Sequence, residues 1–152
     1  MIWKSLFSGS GLDWYSINQL DQIPTAGGAY VLIVFLSKEV EFSSPKTGSI
    51  LLDKGFYFYA GSAKGPGGLR SRLSRHFKSD KKPHWHIDQL TIHGKAVGAY
   101  VKRSGNECDL VDLMLKTKQL AFVQDGIGGT DCSRCKSHLL KAFTGKSSIQ
   151  TN

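Results

Sequence analysis

The chain lacks any apolar run near the ~18 residues that a membrane-spanning helix requires. "AYVLIVFL", residues 29–36, is less than half that length. The N-terminal "MIWKSLFSGSG" has one lysine and a brief apolar patch, without the sustained apolar stretch or cleavage pattern of a secretory leader. A cytoplasmic protein with no membrane partner is therefore expected. Three cysteines, Cys108, Cys132 and Cys135, are too few for a disulfide framework, and the odd number fits a reducing compartment. No internal repeat or low-complexity tract is present. What remains is 152 residues with 40% apolar content, enough for one domain with its own core.

Positive charge, in contrast, is abundant. The formal net charge is +8 and the pI about 9.5, which favours an anionic partner. From Lys64 to Lys82 there are seven basic residues (Lys64, Arg70, Arg72, Arg75, Lys78, Lys81, Lys82) against the single Asp80, a local excess of six. Such a window reads as a nucleic-acid footprint or as a solvated helix face that binds nothing.

Residues 1–25 read as a peripheral segment, with "SINQLDQIP" a short helix closed by Pro24. "GGAYVLIVFL" has the pattern of a strand buried on both faces. "EVEF" and "GSILL" form two short strands or a hairpin. In "GFYFYAG", alternation points Tyr57 and Tyr59 one way and Phe56 and Phe58 the other. The glycine-rich "GSAKGPGG" leads into a helix from about Leu69 to Lys78, with Leu69, Leu73 and Phe77 as its apolar stripe and Arg72, Arg75 and His76 flanking it. "KKPHWHIDQLTIHG" predicts a short helix beginning at its proline and ending at Gly94. "KAVGAYVKR" is a further strand. "SGNECDLVDLMLKTKQ" is a helix with Leu110, Val111, Met114 and Leu115 inward, and "GIGGTDCSRCKSHLLKAF" is a glycine loop entering a last short element. The fold class is α/β or α+β: a mixed sheet of four or five strands with about three helices, over residues 26–143, followed by a polar tail at 144–152.

Several residues could carry chemistry. Glu107 lies one turn before Leu110 and Val111, which brings its carboxylate into line with a buried stripe. Burying a carboxylate there is costly unless it is paired, capped or bound to a cation. It is either a first-turn acid stabilised by the helix dipole or a ligand for Mg²⁺. Tyr30 and Tyr59 could act as hydrogen-bond donors or, when deprotonated, as bases, and Arg72 could grip a phosphodiester through two hydrogen bonds. "GSAKGPGG" matches neither the phosphate-cradling loop ending in Gly-Lys-Ser/Thr nor the dinucleotide GxGxxG, so nucleotide hydrolysis is unsupported. His84 and Asp88 stand at i and i+4, where the carboxylate could orient the ring, while His86 faces Leu90. Cys132, Cys135 and His138 in "CSRCKSH" could ligate zinc, completed by His84 or His86, as the centre of a metal-stabilised interaction module.

"GGAY" with Tyr30, "YAGSA" with Tyr59, and "RLSRHF" with Arg72 and His76 resemble the GIY-YIG nuclease superfamily. The whole run through "KKPHWHID", "NEC" and "DCSRCKSHL" resembles its prokaryotic branch labelled domain of unknown function 123. The resemblance implies a compact domain around a three-stranded, mixed antiparallel sheet flanked by helices, and hydrolysis of phosphodiester bonds with Mg²⁺ or Mn²⁺. It makes Tyr30 and Tyr59 the paired tyrosines, Arg72 the phosphate-steadying arginine with His76 after it, and Glu107 the metal ligand. Lys64, Arg70, Arg75, Lys78, Lys81, Lys82, His84 and His86 would contact nucleic acid, DNA in preference to RNA. Structured or damaged DNA, in repair or recombination, is the expected substrate. The alternative is a non-catalytic nucleic-acid-binding domain on the same scaffold. Both central isoleucines of the name-giving motif are replaced, by Ala29 and Ala60, whose side chains should point into the core. Tyr30 and Tyr59 lie 29 positions apart, which implies strands inserted between them.

Overall fold

A computed structural model of the chain describes residues 5–124, 127 and 135–142. Among the described residues, eight strands and three α-helices follow one another as β1 (Asp13–Ser16), β2 (Gly28–Leu36), β3 (Val40–Ser44), β4 (Gly48–Leu52), β5 (Gly55–Ala63), α1 (Gly68–Phe77), α2 (Asp88–His93), β6 (Lys95–Arg103), α3 (Glu107–Lys116), β7 (Leu120–Phe122) and β8 (Leu139–Ala142), with a 3₁₀ turn at Ile17–Gln22. This is an α+β fold. Six strands form one sheet in the order β1-β6-β2-β5-β8-β7, and β3 and β4 form a separate hairpin. Every pairing among the described residues is antiparallel, in keeping with the expected mainly antiparallel sheet, and the main sheet has six strands where four or five were expected. No helix among the described residues is long and apolar enough to cross a membrane.

β2 occupies the middle, between β5 and β6, which is why its sequence is apolar almost without interruption: all but Phe35 are buried. Alternation divides the sheet into two faces. Tyr30, Leu32, Val34, Tyr57, Tyr59 and Val101 face one core, together with Leu69 and Leu73 of α1 and Leu90 of α2. Val31, Ile33, Phe58 and Tyr100 face the other, with Leu110, Val111 and Met114 of α3. Ala29 and Ala60 are fully buried in this second core, as expected. The hairpin β3–β4 lies between the strands that carry Tyr30 and Tyr59, which accounts for their separation.

Several local expectations are corrected. The N-terminal segment is more than peripheral: β1 pairs with β6 at the sheet edge, and Phe7 is buried against Tyr100. Leu115 is 37% exposed because the buried stripe of α3 runs through Cys108, Leu110, Val111 and Met114. α2 starts at Asp88 rather than at Pro83. The Asp88 carboxylate accepts the backbone N–H groups of His84 and Trp85 and ties that stretch into a turn.

Candidate functional site

The register of β2 and β5 sets Tyr30 opposite Gly61 and Leu32 opposite Tyr59, so the two tyrosines are diagonal neighbours on one face. A Cβ at Gly61 would collide with the Tyr30 hydroxyl and ring, so the bare backbone there is what lets the phenol lie flat across the strand. α1 crosses the same face and brings Arg72 and His76 to it. The Tyr30 hydroxyl lies 2.7 Å from His76 Nε2. Arg72 donates to the Ser62 carbonyl at 3.1 Å, lies 4.4 Å over the Trp85 ring and bears electrostatically on the same hydroxyl. Two contacts therefore fix one guanidinium.

His76 does not flank the stripe of α1; it continues it, at 1% exposure. Burial, helped by the charge of Lys81 and opposed by Asp88, lowers its pKa to about 3, so the imidazole is neutral. Burial likewise pushes the Tyr30 phenol far above its ordinary value, with Tyr59 and Glu107 adding to the rise and Arg72 opposing it. Tyr59 is half-buried, and burial raises its pKa to about 12 against the pull of Arg72. Both phenols are thus protonated at neutral pH and serve as hydrogen-bonding groups rather than phenolates.

Glu107 opens α3 and is half-buried. Asn106 caps the helix, its side chain accepting the Cys108 N–H at 2.7 Å. The negative charge of Glu107 raises both phenols, which places it in the same electrostatic neighbourhood as Tyr30, Tyr59 and Arg72. Among the described residues it has no ion-pair partner.

The basic window divides in two. Asp88, with no exposed surface, binds Arg75 at 2.7 Å and Lys81 at 3.6 Å. Burial would raise its pKa, but the N–H groups of Trp85 and His84, then Arg75 and Lys81, hold it below the ordinary value. Lys81 also donates to the Arg75 carbonyl, and its side chain is only 5% exposed. Lys81 is thereby committed to the interior, whereas Arg75, its side chain 31% exposed, is tied to Asp88 at the surface. Arg70 is held by the Ile23 carbonyl, and Lys64, Lys78 and Lys82 are exposed. His84 is exposed beside Trp85 without its ring meeting Asp88, and His86 packs its edge on Phe42. The glycine loop offers no anion cradle: the N–H groups of Gly68, Leu69 and Arg70 are taken by the carbonyls of Gly65, Ala26 and Pro24.

Trp85 was not singled out in the sequence, yet Arg72 and Arg75 both stack on it. Its signal was an aromatic ring between two histidines next to a basic run. The cysteine pattern is rearranged as well. Cys135 and His138 meet Cys108 rather than forming a group defined by the CxxC alone, and the three can hold a metal ion. His84 and His86 take no part, and Cys132 lies outside the described residues.

A basic α+β domain with a buried tyrosine–histidine–arginine network on one sheet face is the class that this fold and site define. Within that class, the chain belongs to the family described as domain of unknown function DUF123, whose sequence profile matches residues 29–151. No curated protein and no solved structure matches it.

Proposed function

We propose that this chain is a divalent-metal-dependent endonuclease of the GIY-YIG type, hydrolysing phosphodiester bonds in structured or damaged DNA during cytoplasmic repair or recombination. The observation that carries the reading is the convergence of Tyr30, Tyr59 and Arg72 on one face of the sheet, held by His76, Ser62 and Trp85, with the charge of Glu107 bearing on both phenols.

The donor chemistry fits Mg²⁺ or Mn²⁺: Glu107 is a half-buried carboxylate with no cationic partner among the described residues, and Mg²⁺ commonly binds through one or two carboxylates while keeping several waters. Held there, the ion would supply positive charge opposite the leaving oxygen and make nearby water more acidic. Arg72, immobilised by Trp85 and Ser62, would offset charge developing on the phosphoryl oxygens at little cost in reorganisation. Tyr59, the phenol with solvent access, would orient the attacking water as a neutral hydrogen-bonding group. Tyr30 and His76 are positioning residues: the imidazole holds the Tyr30 hydroxyl, whose oxygen lies in the field of Arg72. Lys64, Lys78 and Lys82 would grip flanking phosphates without reading sequence.

The test is to incubate the wild type and Glu107→Ala with labelled linear, flapped, bubbled and four-way-junction DNA, in Mg²⁺, Mn²⁺ or EDTA. Metal-dependent cutting that disappears in the variant is expected. Salt-sensitive binding by both proteins with no cutting under any metal would overturn the nuclease and leave a binding domain.

A further inference from the structure

A second cluster of ligating side chains lies at the rim of the other sheet face and is independent of the proposed nuclease chemistry. Cys108 Sγ, Cys135 Sγ and a ring nitrogen of His138 all lie within 4.8 Å of one another, and Cys108 Sγ is 4.0 Å from His138 Nε2. Cys108 and His138 are buried, Cys135 partly so. The backbone holds these positions by separate means. Asn106 caps the turn that carries Cys108. His138 is fixed on both sides, its N–H donating to the Ile127 carbonyl at 2.8 Å and its carbonyl accepting the Ala60 N–H at 2.9 Å.

We propose that Cys108, Cys135 and His138 bind Zn²⁺. Two thiolates and an imidazole form a soft donor set that suits zinc and does not suit Mg²⁺ or Ca²⁺. Zn–S bonds of about 2.3 Å and Zn–N bonds of about 2.0 Å in a tetrahedron put the donor atoms roughly 3.5–3.8 Å apart. The observed 4.0 Å between sulfur and nitrogen needs only a small contraction to reach that spacing. On binding, each thiol loses its proton to solvent, the two sulfurs and the imidazole donate electron pairs to the ion, and nothing is oxidised or reduced. The site would join the first turn of α3 to the segment entering β8, two pieces of chain some thirty residues apart. Because Cys108 directly follows Glu107, the same ion would also hold the start of the helix that presents this carboxylate.

The full-length chain, purified without chelator and dialysed against metal-free buffer, is analysed for zinc by plasma mass spectrometry. One equivalent per chain is expected. Cys108→Ser and His138→Ala, checked for folding by circular dichroism, should lose at least nine-tenths of it, and Glu107→Gln should keep it. As a readout that needs no variant, the chelator-stripped wild type is titrated with Co²⁺, which should give thiolate-to-cobalt charge-transfer absorption and the intense visible bands of a tetrahedral ion. No zinc after reconstitution together with no charge-transfer band overturns the site. Full zinc retention in folded Cys108→Ser overturns the assignment of its ligands. Neither result depends on whether DNA is cut.

Discussion

The two faces of the sheet are covered by similar means, helices laid over apolar strands, yet they bury different chemistry. Under α3 the described interior is apolar, with Val31, Ile33, Phe58, Leu110, Val111 and Met114, and the thiol of Cys108 and the imidazole of His138 are buried beside it. Under α1 and α2 it holds a neutral histidine, a fully buried carboxylate and a guanidinium stacked on tryptophan. An apolar face is sufficient for folding. Buried ionisable groups are costly to desolvate and persist where something fixes them in place, so the costlier face is where a specific geometry is being maintained.

Truncating one residue on each face gives the largest expected effects and tests the contrast directly. Asp88→Ala would strand Arg75 and the nearly buried Lys81 without their carboxylate, a loss of about 3–5 kcal/mol by urea denaturation. Met114→Ala, fully buried under α3, should cost about 2–5 kcal/mol as a cavity. Similar losses of stability should separate in function: at temperatures where both are folded, the proposed DNA cleavage should fall in Asp88→Ala, whose loss releases the turn carrying Trp85, and persist in Met114→Ala. Equal cleavage by the two variants would break the comparison.

Acid should also act on one face first. In the unfolded chain His76 takes up a proton near its ordinary pKa of 6.5, but in the folded chain only near 3. Stability is therefore full above pH 6.5 and falls as the pH drops towards 3, by about 1.4 kcal/mol per pH unit within that window. Asp88, held below its ordinary value of 3.8, adds its own loss only at the acid end of the same range. Denaturation midpoints between pH 7 and 4.5 should fall in the wild type and flatten in His76→Gln. A wild-type profile already flat over that range would show that the imidazole is not held neutral.

Much of this was legible in the chain because it is periodic. The alternation in "GFYFYAG" assigned both faces of β5, and the unbroken apolar run of β2 announced its central place. The spacing Leu69, Leu73, His76 carried the buried stripe of α1 as well as Phe77 does, but a polar residue on a stripe reads as a boundary until its partner is known. That partner, the Tyr30 hydroxyl, is 46 residues away, and no local rule reaches it. The same holds for Asp88, whose i and i+4 relation to His84 suggested a ring contact while its carboxylate was taken by Arg75, Lys81 and two backbone N–H groups. Cys108 joined Cys135 and His138 only because α3 and β8 are brought together at the rim of the sheet.

The smallest effect separates the two halves of the basic window. Lys78 and Lys82 are exposed, whereas Lys81, between them in sequence, is buried against Asp88. Replacing either exposed lysine with alanine should change stability by no more than about 0.5 kcal/mol. If these side chains contact phosphates, each replacement should reduce the dependence of log affinity on log salt by about one unit on any DNA sequence. Lys81→Ala should show the opposite pattern, a stability loss with an unchanged salt slope, because its charge is spent on a carboxylate inside the fold. Salt titrations of DNA binding across the three variants measure this. A reduced slope in Lys81→Ala would mean that the ion cluster opens to the ligand, and the division between interior and surface charge would then be a property of the unbound protein alone.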